Sequence, residues 1–161
     1  MKICVVALVL VFVAVAAAAF PAKFIADDQR PANKWNPPQC NTTGYSFNCC
    51  DQLDFTVTIP FEGKVHINDS VCASLVVDPK SLNATVTLII DGAVLYKDTF
   101  SVYDLADVCV PIQFGVSICL NWSNVVWNSA TEDLSGCADI AAEVAGITIF
   151  DLPLGCFKLH V

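Results

Sequence analysis

From residue 51 onward the chain alternates. Leu53, Phe55, Val57 and Ile59 are apolar, and Gln52, Asp54, Thr56 and Thr58 between them are polar. Successive side chains of a strand point to opposite faces, so a period of two predicts a half-buried strand, here closed by Pro60. Val65 and Ile67 flank His66 in a short second strand, and Asn68-Asp69-Ser70 reads as a turn. The next strand runs from Val71 to Val77 and stops at Asp78-Pro79. Val86, Leu88 and Ile90 then alternate with Thr85, Thr87 and Ile89 as far as Asp91-Gly92, and Val94 to Thr99 continue beyond. An Asp-Gly pair between two such runs predicts a hairpin, because both residues tolerate the positive φ that a tight turn between twisted strands requires.

The second half reads in the same way. Val108 to Ile112 is short and carries Pro111, which has no N–H for a ladder, so it is an edge strand or an irregular segment. Phe114, Val116, Ile118, Leu120 and Trp122 alternate with Gly115, Ser117, Cys119 and Asn121, the pattern of a central strand with Trp122 facing inward. Asn128 to Gly136 reads as a loop. Cys137 to Phe150 suits a strand or a short helix. Ala138, Ile140, Ala142 and Val144 alternate, and the β-branched run Ile147-Thr148-Ile149 after Gly146 favours strand. Phe157, Leu159 and Val161 form a last short strand. Many short alternating strands separated by turns predict an all-β fold, a small antiparallel β-sandwich or barrel. No internal repeat is visible.

The amino-terminal stretch is different. Lys2 precedes an apolar run, Ile3 to Phe20, broken only by the thiol of Cys4, and Ala17 and Ala19 stand as in an A-x-A cleavage site. This is read as a signal peptide, residues 1–19. The competing reading is a membrane anchor, which the weakly apolar alanines and borderline length argue against. Residues 20–39, with Pro21, Pro31, Pro37 and Pro38, are expected to be an extended lead-in to a cysteine-rich β domain over 40–161.

An exported chain changes the meaning of cysteine. Of nine cysteines Cys4 leaves with the signal. Cys40, Cys49, Cys50, Cys72, Cys109, Cys119, Cys137 and Cys156 remain, an even number that reads as up to four disulfides. Eight cysteines allow about 105 connectivities, and the spacing does not choose among them. One restriction follows from geometry. Cys49 and Cys50 are neighbours, too close for an unstrained bridge, and on a strand they point to opposite faces, so they take different partners. A zinc site is disfavoured, since there is no C-x-x-C and His66 and His160 are the only histidines.

Charge removes further classes. A net charge of −8 argues against nucleic acid and against anionic membrane surfaces as partners. With 55% hydrophobic and 15% charged residues the chain is not of the disordered class. No stretch after the signal is long enough to span a bilayer as a helix. Four N-x-S/T sequons begin at Asn41, Asn68, Asn83 and Asn121, and at least two are expected to carry glycan. Asn121 lies two residues from Cys119 on one strand face, where crowding works against modification.

Catalytic chemistry finds little to stand on. His66 alternates with Val65 and Ile67 as a surface residue would, and His160 is penultimate. There is no G-x-S-x-G, no H-E-x-x-H and no glycine-rich phosphate loop. Asp104 and Asp107 are too few for calcium, which takes six or more oxygens. The chain is therefore expected to be no enzyme and to need no cofactor or metal. Trp122 and Trp127 are read as core and strand end, or as the lining of an apolar cavity between two sheets. The leading expectation is a secreted extracellular binding or structural module whose partner is an extracellular protein. The alternative is a carrier of small hydrophobic ligands, lipid or pheromone-like.

One set of features is shared with a known family. These are a cysteine followed by a Cys-Cys pair (Cys40, Cys49-Cys50), the Asp91-Gly92 hairpin, Cys109, the Cys119-Leu120 strand, the Gly136-Cys137 start and the closing Leu154-Gly155-Cys156-Phe157. In them Cys40 to Val161 resembles a cysteine-rich secreted domain of unknown function found mainly in arthropods, family 4773 of that class. The resemblance implies a small extracellular disulfide domain. It brings no activity and no site residues.

Overall fold

The structure is a computed structural model that describes residues 26–27, 37–59 and 62–161. The expected signal peptide, most of the lead-in and Pro60 lie outside the described residues. In chain order the strands are β1 (Ala26–Asp27), β2 (Gln39–Thr43), β3 (Ser46–Ile59), β4 (Gly63–Asp78), β5 (Asn83–Ile90), β6 (Ala93–Ser101), β7 (Val108–Gln113), β8 (Val116–Asn128), β9 (Asp133–Val144) and β10 (Ile147–His160). They form two antiparallel sheets. The first has the order β1-β3-β4-β5-β6, with β2 also paired to β3, and the second the order β10-β9-β8-β7. The all-β expectation holds, and of sandwich and barrel the two separate sheets select the sandwich.

Alternation explains the layers. Leu53, Phe55, Val57, Ile67, Leu75, Val86 and Leu88 of the first sheet meet Val116, Ile118, Leu120, Leu134, Ile140, Leu152 and Leu159 of the second in one apolar core. Burying each of the larger of these side chains contributes about 1.5–3 kcal/mol. Three ring contacts add to it. Phe47 faces Phe157 at 5.0 Å and Phe55 stacks on Phe150 at 4.9 Å. Trp122 meets Phe157 edge-on at 5.9 Å. Phe157 lies beside Gly136, where an added Cβ would sit 3.1 Å from the ring and 3.1 Å from Val125. A glycine on the inner face thus makes room for the aromatic keystone.

Several elements differ from the sequence reading. Asn68-Asp69-Ser70 is not a turn but the middle of β4, paired to Asp54, Leu53 and Gln52 of β3. Asn68 and Ser70 project outward, where polar residues belong, and the long partner strand carries Asp69 through in register. Burial, the neighbouring Asp91 charge and a hydrogen bond with Asp91 hold the Asp69 carboxyl above its ordinary pKa. Phe114 is not in the central strand. Phe114 and Gly115, at φ 50° and 73°, form a tight turn between β7 and β8, as Asp91-Gly92 and Ala145-Gly146 do elsewhere. Its ring is accordingly exposed. The expected loop over Asn128–Gly136 shrinks to residues 129–132, and the last short strand is the end of the long β10. The ambiguous stretch from Cys137 is strand. From the lead-in, Ala26 and Asp27 pair with Val57 and Thr56.

The eight cysteines form four bridges: Cys40–Cys49, Cys50–Cys72, Cys109–Cys119 and Cys137–Cys156. Each joins directly opposed residues of paired strands, with Cα separations of 4.0, 4.1, 4.0 and 3.9 Å. Cys49 points into the core and its neighbour Cys50 outward, to different partners. None of the four links one sheet to the other. The sheets approach along β10, which runs beside β3 and β2. There the Cys40 and Cys49 sulfurs lie 3.1 and 3.6 Å from the Leu154 carbonyl oxygen.

Candidate functional site at the loop end of the sandwich

The strand directions bring the longer connections to one end. β3 leaves the Gly44-Tyr45 turn there, and the 79–82 and 129–132 loops, Tyr103 and Val161 gather beside it. Together with Trp127 they line a cavity of about 560 Å³. Its lining residues include Tyr45, Tyr103, Trp127, Lys80, Ser129 and Glu132. This volume is in the range of small-ligand sites, and the cleft is open to solvent, with a surface more polar than apolar. Tyr45 is 47% exposed and Tyr103 68%, so both rings are offered to solvent.

A backbone irregularity puts Trp127 there. The β8–β9 register shifts between Ser123 and Val126, and Asn124 has φ 53°. This bulge reverses the inward parity, which is even before it and odd after. Trp122 therefore faces the core before the bulge, and Val125 and Trp127 face it afterwards. The indole nitrogen of Trp122 is buried with no hydrogen-bond partner among the described residues.

Both loops are held by their own side chains. Asp78 accepts from the Lys80 N–H at 2.9 Å and from the Ser81 hydroxyl at 2.8 Å, which keep its carboxyl below the ordinary range. Asn128 accepts from the Ala130 N–H at 3.0 Å. Asp133 takes a 2.8 Å ion pair from Lys158. Lys158, with hydrogen bonds from Thr131 and His160, lowers its pKa to about 2. The backbone of both loops is thus held locally, which reduces the entropy lost if they bind a ligand.

The other residues singled out in the sequence fall elsewhere. His66 lies on the outer face of the first sheet, its Nδ1 3.1 Å from Thr56 Oγ1 and its Nε2 3.6 Å from Asp54. Hydroxyl, imidazole and carboxylate stand in the order of a nucleophilic triad. They are laid flat in water, however, with the His66 side chain 53% exposed, and bulk solvent weakens every such interaction. His160 bonds Asp133 at 3.1 Å. Asp107 accepts from the Trp122 backbone N–H at 2.8 Å and so serves local structure, and the Asp104 backbone N–H donates to the Ser101 carbonyl. Among the described residues one group, Cys109, Cys119 and Glu143, has metal-ligand spacing, but its sulfurs are joined in a disulfide and are not thiolates. Asn41, Asn68 and Asn83 are exposed; Asn121 is half-buried, its Nδ2 donating to Asp139 at 3.0 Å.

The sequence reading had Trp127 but not Tyr45, Tyr103, Lys80 or Glu132. Those four lie in connections without a motif, and only the fold collects them. The available signal was position, since both tyrosines stand at strand ends, outside the alternation that assigns aromatics to the core.

A family model described as Domain of unknown function (DUF4773) matches residues 39–161, and the chain belongs to that family. No curated protein and no solved structure matches it.

Proposed function

We propose that this member of the DUF4773 family is a secreted, N-glycosylated, non-enzymatic module that binds its ligand at the loop end of the sandwich. The observation that carries this reading is the cavity framed by Tyr45, Tyr103 and Trp127 with Lys80, Ser129 and Glu132 on its wall. Four disulfides support an extracellular setting, because such bridges persist in oxidising compartments. Exposed asparagines at three of the four sequons support glycosylation at Asn41, Asn68 and Asn83. The Asn121 amide is engaged by Asp139, which favours leaving that site unmodified.

The test is expression through a eukaryotic secretory pathway, followed by a fragment screen on the recovered protein by ligand-observed NMR. The protein is expected in the medium, with a mass that falls by at least two glycans on enzymatic removal. Fragment signals are expected to disappear in the Tyr103→Ala variant. Retention in the cell, an unchanged mass, or hits indifferent to Tyr103 would each remove the corresponding part of the reading.

A further inference from the structure

We infer that the ligand class of the loop-end cavity is carbohydrate, a short oligosaccharide laid across its aromatic walls; this rests on the reading of that cavity as the binding site. A pyranose presents polarised C–H groups on its faces and hydroxyls around its rim. Exposed aromatic faces carry the negative pole of their quadrupole and attract such C–H groups. Tyr45 and Tyr103 offer exposed rings at the mouth, and Trp127, backed by the core, offers a third. The rim hydroxyls need donors and acceptors side by side. Lys80 donates, Glu132 accepts and Ser129 does either, all lining the same cavity.

Competing ligand classes fit less well. A fatty chain would bury no polar group, yet it would strip water from the Lys80 ammonium and the Glu132 carboxylate at a cost. A phosphate or nucleotide would meet one cationic side chain in the wall, countered by Glu132, on a chain of net charge −8. A sugar is neutral, tolerates both charges and uses them. The backbones of the loops that carry these residues are already held by Asp78 and Asn128.

The experiment titrates the intact secreted protein with soluble oligomers of glucose, mannose, galactose and N-acetylglucosamine, followed by tryptophan fluorescence and calorimetry. Saturable binding is expected for at least one series. Tyr103→Ala, at an exposed position that leaves folding intact, should weaken it about tenfold, and Tyr103→Phe, which keeps the ring, by about threefold or less. Lys80→Ala should weaken the same series, with thermal unfolding unchanged. If no oligomer binds while NMR fragments still locate to the cavity, the carbohydrate inference falls and the binding-site reading stands. If neither binds, both fall. Oligomer binding indifferent to Tyr103 and Lys80 places the sugar elsewhere and overturns the inference. So does a protein partner whose capture survives enzymatic removal of its own glycans.

Discussion

Residues 79–82 join β4 to β5, and residues 129–132 join β8 to β9, in loops that match position for position. Leu82 and Glu132 close them at φ 53° and 52°. The Leu82 carbonyl accepts from Val102 at 3.0 Å and the Glu132 carbonyl from Val161 at 2.7 Å, each donor lying just past the last strand of its sheet. Ala84, Val86, Leu88 and Ile90 occupy in the first sheet the inward row that Leu134, Gly136, Ala138 and Ile140 occupy in the second. Both sheets contain a four-strand meander, so the fold contains a repeat that the residue identities hide. The cavity lies between the two equivalent loops.

Their fastening differs. The second sheet is pinned in both outer hairpins, β7–β8 by Cys109–Cys119 and β9–β10 by Cys137–Cys156. In the first, both pins lie on the β2-β3-β4 side, and β6 ends the sheet unpinned, with Val94 and Leu95 exposed. Side-chain packing and the approach of β10 to β3 and β2 hold one sheet to the other. Covalent chemistry therefore fixes strand neighbours and packing fixes the sandwich, and the two can be perturbed separately.

The largest expected effect is on packing. Phe157→Ala removes the ring that touches Phe47, Trp122 and Gly136, and should lower stability by about 3–5 kcal/mol in denaturant titration. A loss near 1 kcal/mol would mean that the sheets do not depend on this keystone. Next are the pins. Replacing Cys50 and Cys72 by alanine should cost about 3.4 kcal/mol, and replacing Cys109 and Cys119 about 2.7 kcal/mol, because the first bridge closes the longer loop. Equal losses would show that native-state contacts, not chain entropy, set the contribution. A smaller gain is expected at the tight turn of the second sheet. Ala145 holds φ 51°, a conformation asparagine adopts more readily, so Ala145→Asn should add about 0.5–1 kcal/mol, whereas Asp91 in the matching turn of the first sheet has little left to gain.

The smallest effect is electrostatic. Burial raises the pKa of Asp139, and Asp151 and Asp107 add to this against the hydrogen bond from Asn121. A carboxyl raised on folding is ionised at a cost, so its penalty is full at neutral pH. The penalty disappears as pH falls below the unfolded value, about 3.9. Asp139→Asn keeps an acceptor for Asn121 and should raise Tm by about 1–3 °C at pH 7 and leave it unchanged near pH 3. An equal gain at both pH values would trace the effect to packing rather than charge.

Much of the framework was legible because one face of each strand is buried. β3, β5 and the middle of β8 show this as clean alternation. Legibility failed where a local signal competed with a longer-range partner. Asn68-Asp69-Ser70 has turn chemistry, but β3 pairs through it; Phe114 has strand chemistry, but Gly115 makes it a turn. The bulge at 123–126 carries no distinctive residue beyond Asn124, yet it decides that Trp127 reaches the loop end. The candidate site was legible in one residue because its wall is drawn from five separate segments, which no periodicity connects.

Each of the eight cysteines among the described residues is bridged to its neighbour in chain order: Cys40 to Cys49, Cys50 to Cys72, Cys109 to Cys119 and Cys137 to Cys156. Of about 105 arrangements this is the one in which no loop encloses or crosses another. A chain entering an oxidising compartment amino end first exposes each native partner as the next thiol to arrive. For a chain exported in this way, order of emergence would favour the sequential pairs and reduce slow thiol–disulfide reshuffling, least at Cys49-Cys50, where a second thiol follows at once. Refolding of the reduced full-length chain has no such ordering, so it should pass through scrambled isomers.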